Sequence, residues 1–166
     1  MTEDVCNDAI RMALERTKVK CHARNVEELI KGLKDSNDCY HSYFRFYIMI
    51  HILECLASKI KGLRAVYLFG STVNDTSGLR SDINLILSVG KKDPKTKKTM
   101  DGINDVLTED YKELLGLKLR PSFRLLDIHY ITDKDVKAKS GAAALLGSVH
   151  EPPMLIWKIH KGVCKA

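Results

Sequence analysis

A chain of 166 residues with 45% apolar side chains is long enough for one domain with a continuous core, which excludes a disordered or low-complexity protein. Its apolar runs exclude a membrane helix, because even 44-FRFYIMIHILECL-56 is broken by Arg45, His51 and Glu54 short of the roughly 20 residues a span requires. The balance of 27 basic against 21 acidic residues, net +6, favours a polyanionic partner such as RNA through phosphate neutralisation and counterion release.

The N-terminus MTEDVCNDAI is acidic and polar, unlike a secretory signal. Cys6, Cys21, Cys39, Cys55 and Cys164 are odd in number and form no C-x-x-C pair. Reduced thiols in a cytoplasmic protein are therefore expected, with the nucleus as the alternative compartment. Cys21 with His22, and Cys39 with His41, are conceivable metal ligands, but their spacing is looser than that of a zinc cluster.

In chain order, residues 3 to 17 place Val5, Ile10, Met12, Ala13 and Leu14 near helical spacing. The segment 25-NVEELIKGLK-34 predicts a second helix, opened by Asn25 with Glu28 in the capping-box position. Residues 38 to 60 predict a third, the most apolar, with Tyr43, Phe46, Tyr47, Ile50, Leu53 and Leu56 on a face packed against a sheet. Its aromatics are expected in the core, the alternative being a base-stacking platform of Tyr40, Tyr43 and Phe44. After Gly62 the period becomes strand-like, giving buried strands at 65–69 and 83–89. A polar helix over 95–116 presents Met100, Ile103, Val106, Leu107, Leu114 and Leu115 inward. Strands at 122–131 and 153–159 follow, separated by a small-residue-rich link, 133–152, expected to be mobile or partly helical. The reading is one α/β (α+β) domain over 1–166, a mixed β-sheet flanked by helices, with a helical part at 1–60 and a motif-bearing sheet region at 63–166.

The chemistry-bearing stretch is 69-FGSTVNDTSGLRSDINLIL-87. Gly70 admits a close approach of backbone to phosphate, and Ser71 at a helix start offers donors to phosphate oxygens. Strand residues two apart share a face, so Asp82 and position 84 aim at one site, where paired carboxylates would hold divalent metals. Position 84, however, is Asn.

This stretch resembles the signature of the DNA polymerase β-like nucleotidyltransferase superfamily, most closely its branch of noncanonical poly(A) polymerases and terminal uridylyltransferases. There a strand ends in Phe-Gly-Ser, and after a short helix and link a Ser-Asp-x-Asp opens the next strand; Phe69-Gly70-Ser71 and Ser81-Asp82 stand in that order here. The resemblance implies a nucleotidyltransferase-like fold and, for active members, transfer of a nucleotide to an RNA 3′ end with magnesium or manganese. It assigns phosphate contacts to Gly70 and Ser71 and metal ligation to Asp82 and position 84.

Three departures follow from the same resemblance. Asn84 replaces the second acid, leaving Asp82 vestigial. The third acid is expected beyond a strand like 153-PMLIWKI-159, where 161-KGVCKA-166 has none; Asp127, on the preceding strand, is the substitute candidate. The helical domain that closes over the nucleotide in active members is not found in these residues. The resulting expectation is a degenerate domain, without cofactor unless active, that binds RNA or a protein partner. RNA phosphates would meet Lys91, Lys92, Lys95, Lys97 and Lys98, with 158-KIHKGVCK-165 as a second basic segment. Two alternatives stand beside it: a fragment of an active RNA 3′-terminal nucleotidyltransferase, with Asn84 a changed Asp or the missing parts elsewhere in a longer parent, and an unrelated α/β interaction scaffold.

Overall fold

The computed structural model describes residues 2–57 and 60–159. Helix α1 (Thr2–Lys20) opens with Glu3 and Asp4 and closes with Lys18 and Lys20, charges that complement its dipole. Its buried stripe is Cys6, Ala9, Ile10, Ala13, Leu14 and Thr17, whereas the expected inward residue Met12 is exposed. Helix α2 (Val26–Lys34) begins where the Asn25 side chain accepts from the Glu28 amide at 2.8 Å. The Glu28 carboxylate reaches back to the Arg24 amide at 2.7 Å, one residue earlier than a capping box requires.

Helix α3 (Asp38–Leu56) is capped by Asn37. Its expected continuation to 60 runs into residues 58 and 59, and the inward placing of Leu56 likewise lies outside the described residues. Phe44, Ile48, Met49, Ile52 and Leu53 are buried, while Tyr43, Phe46, Tyr47 and Ile50 are only half-buried. The expected face is thus rotated. Apolar residues nearly ring this helix, so the spacing alone does not single out one stripe, and its neighbour decides: α3 packs most extensively along α1 rather than on the sheet.

Strands β1 (Leu63–Phe69), β2 (Ile83–Val89), β3 (Leu126–Ile131) and β4 (Met154–Lys158) form a four-stranded mixed sheet in the order β3-β2-β1-β4. β1 pairs antiparallel with β2 and with β4, and β2 pairs parallel with β3. The parallel pair needs a long crossover, supplied by α4 (Pro94–Leu115), which runs from an Asp93 cap to Gly116 at φ 63°. Met100, Ile103, Leu107 and Leu115 are buried as expected, while Val106 and Leu114 are half-buried.

β3 starts at Leu126, later than the expected 122. Side chains of α4 occupy the backbone there: Asn104 bonds both the amide and the carbonyl of Leu126, and Thr108 Oγ1 accepts from the Leu125 amide at 2.9 Å. The link after β3 is partly helical. It forms α5 (Asp133–Ala138), opened by a Thr132–Asp135 capping box, then a 3₁₀ segment at Gly141–Gly147.

The two faces of the sheet differ. Val66, Leu68, Leu85, Leu87 and Leu126 join the main core shared with the helices. The opposite face carries Tyr67, Phe69, Ile86 and Ile131, covered among the described residues by Ala142, Ala143 and Leu146 of the 3₁₀ segment. Among the described residues no helix is long and apolar enough to cross a membrane.

Candidate functional site

The thinly covered face carries a polar row at the end where β1 turns. In register, Phe69 lies opposite Asn84, and Asn84 opposite Asp127. Cross-strand partners project to the same side of a sheet, so Phe69, Asn84 and Asp127 form one row across three strands. Asp82 precedes the row on the β2 side, and His129 follows Asp127 two residues on. Asn84 Nδ2 donates to Asp82 Oδ1 at 3.2 Å, and His129 Nε2 donates to Asp127 Oδ2 at 3.2 Å. The His129 ring also rests against Phe69, 5.8 Å between centroids.

Gly70 is required by its own backbone conformation and by its neighbour on β2. Its φ is +71°, a region side chains rarely adopt, and a Cβ there would stand 3.2 Å from Asn84 Nδ2. The Gly70–Thr72 segment is a single 3₁₀ turn, where the motif leads to the start of a helix. The Val73 and Asn74 amides both bond the Gly70 carbonyl, and the Ser71 hydroxyl accepts from Ser77 Oγ at 3.3 Å. Ser77 is in turn tied to α3, its amide donating to Ser42 Oγ at 3.3 Å.

Arg45 is the residue that the sequence reading passed over. It is 0% exposed, yet among the described residues no carboxylate is hydrogen-bonded to it. Its Nη2 donates to the Gly78 carbonyl at 2.7 Å, the Ser81 carbonyl at 3.0 Å and Tyr111 Oη at 2.7 Å. Nε and Nη1 are buried with no hydrogen-bond partner among the described residues. Burial lowers the guanidinium pKa, opposed by Tyr111 and Asp82. Arg45 thus anchors, from α3, the end of the loop that delivers Asp82 to the row. A lone Arg within the most apolar run of the chain was the signal available.

The same inner network holds His41, whose Nε2 donates to the Leu33 carbonyl at 2.7 Å and whose Nδ1 lies 3.5 Å from Tyr111 Oη. His41 is therefore turned away from Cys39 and does not serve as a metal ligand with it. Burial first, then the Arg45 guanidinium, push its pKa down from 6.5 to about 4. The unfolded chain takes up this proton near 6.5 while the native one resists until about 4, so this contribution is full above that window and is lost as pH falls through it. Between pH 7 and 5 the protein is expected to lose about 2 kcal/mol more stability than a His41→Gln variant, read from urea melts. Equal losses in both proteins would refute that assignment.

The five lysines are all exposed and surround the first turn of α4. Lys92 pairs with Asp135 at 3.3 Å. Lys92 and Lys97 line a groove of about 530 Å³ with His129, Tyr130 and Ala142, which carries the basic segment to the edge of the polar row. Of the second basic segment, residues 160–165 lie outside the described residues, as do Cys164 and the rest of 161-KGVCKA-166. No stacking platform forms from Tyr40, Tyr43 and Phe44: Phe44 is buried, and Tyr43 lies under Lys20, 5.2 Å from Nζ to the ring centroid. The aromatic beside the row is Phe69 instead.

No family model, curated protein or solved structure matches this chain. Its chemistry must be argued from the row itself. Among the described residues no three His, Cys, Asp or Glu side chains group closely enough to hold a metal ion. Asp82 and Asp127 lie on either side of an amide that donates to one of them.

Proposed function

We propose that this chain is a nucleotidyltransferase-like module that binds RNA through its basic surface and does not itself transfer nucleotides. The observation that carries the reading is Asn84, which stands between Asp82 and Asp127 and hydrogen-bonds the Asp82 carboxylate where a second acid would share a cation. An amide adds no negative charge to offset dehydration of a divalent ion, and its N–H occupies a lone pair that the ion would need. The exposed lysines around the start of α4, beside a groove reaching His129, support the RNA part of the reading.

Binding of a labelled single-stranded RNA tests it. Five phosphate contacts give a salt slope near −3.5, so affinity is expected to fall about a hundredfold between 50 and 200 mM salt, with little sequence preference. Replacing Lys91, Lys92, Lys95, Lys97 and Lys98 by Ser should flatten that slope while leaving the fold intact. An unchanged slope would reduce these lysines to a solvated loop. In parallel, extension assays with magnesium or manganese and each of the four ribonucleotides are expected to give no product.

A second reading, an active RNA nucleotidyltransferase, is favoured by one observation: Asp127 stands in register with Asn84, close to where a further acid would be useful. Robust extension by the chain as it stands would establish it in place of the first.

A further inference from the structure

We propose that Cys21 and Cys39 form a reversible disulfide that staples the end of α1 to the start of α3. Their proximity follows from helix register. Arg16 lies over Tyr47 at 5.9 Å and, one turn on, Lys20 lies over Tyr43 at 5.2 Å, so α1 and α3 run antiparallel. One further turn places Cys39 beside the turn that follows Lys20, where Cys21 sits. There the Cys39 sulfur is near enough to disfavour ionisation of the Cys21 thiol.

Both are free thiols and differ in access, Cys39 being exposed and Cys21 intermediate. Burial first, then Cys39, push the Cys21 thiol up to about 11, so Cys21 is poorly suited to attack an oxidant from solvent. The other described cysteines are poor competitors. Cys6 is buried with its thiol directed to the Ile103 carbonyl at 3.9 Å, and Cys55 is sixteen residues further along α3, about 24 Å by helical rise.

The oxidant would be a low-molecular-weight disulfide. The Cys39 thiolate attacks one of its sulfurs and expels a small thiolate, leaving a mixed disulfide on Cys39. Cys21 then gives up its proton and attacks the Cys39 sulfur, expelling the second small thiolate. Two protein thiols are oxidised, one small disulfide is reduced to two thiols, and the two protein protons end on those thiols.

The staple would act on more than α3's first turn. Ser42 and Arg45, which hold the Ser77–Ser81 loop and hence Asp82, lie within two turns of Cys39 on the same helix.

Oxidised glutathione, added to the full chain, is the probe. Intact mass should fall by two hydrogen atoms, digestion without reductant should yield one peptide pair joined at Cys21 and Cys39, and dithiothreitol should reverse both. Closing that loop should raise Tm by several degrees, a shift absent from Cys21→Ser and Cys39→Ser. A stable glutathione adduct on Cys39 with Cys21 left free would overturn the proposal. So would a bond from Cys39 to Cys55, to Cys164 or to a second chain.

Discussion

Arg45→Ala is expected to cost about 3 to 5 kcal/mol of stability, the largest loss from any single substitution considered for this chain. Truncation leaves the Gly78 and Ser81 carbonyls and the Tyr111 hydroxyl without the Nη2 donor and opens a cavity between α3 and α4. The charge itself works the other way. A fully buried guanidinium with unpartnered Nε and Nη1 and no bonded carboxylate carries a desolvation cost that its hydrogen bonds must offset. Arg45→Met separates the two effects, because it keeps most of the volume, discards the charge and loses the bonds. Its loss should therefore be clearly smaller than that of Ala. Urea melts with unchanged m-values measure both, and hydrogen exchange should show the amides of 78–82 opening in either variant. An Ala variant within 1 kcal/mol of the parent would mean that Arg45 does not anchor this loop.

The second large effect comes from restoring the charge that the polar row lacks. In Asn84→Asp, a new carboxylate stands between Asp82 and Asp127 and the donor to Asp82 Oδ1 is lost, so the metal-free variant should be less stable than the parent. Manganese or magnesium should then reverse the order. Native-state binding at a hundred times the dissociation constant contributes about 2.7 kcal/mol, which is readily seen as a rise in Tm with metal concentration. The parent is expected to show no such rise. Adding Asp82→Ala or Asp127→Asn to the Asn84→Asp background should abolish the response, since each removes one ligand from the shared face. Nucleotide transfer need not appear for this test to succeed. If the single variant melts identically with and without both metals, positions 82, 84 and 127 do not converge on a cation, and the proposed kinship with nucleotidyltransferases loses its main chemical support.

Much of the fold could be read locally. Asn25 and Asn37 cap their helices, Asp93 and Pro94 start α4, and Gly116 ends it, because capping depends on residues within one turn of each other. The change of period after Gly62 marked β1 and β2, and the spacing of Asp82 and position 84 placed them toward one face before any partner strand was known. Only the tertiary structure decided the rest. Asp127 reaches the row because β3 pairs parallel to β2 in one register across the α4 crossover, a choice between residues more than forty positions apart. The late start of β3 was hidden for the same reason, since it is Asn104 and Thr108 of α4 that bond the backbone at 125 and 126. The face of α3 was decided by α1, and the burial of Arg45 by carbonyls from a distant loop and a hydroxyl from α4. Caps and periodicity are settled by neighbours along the chain, whereas strand register and the tolerance of a buried charge depend on groups that meet only when the chain has folded.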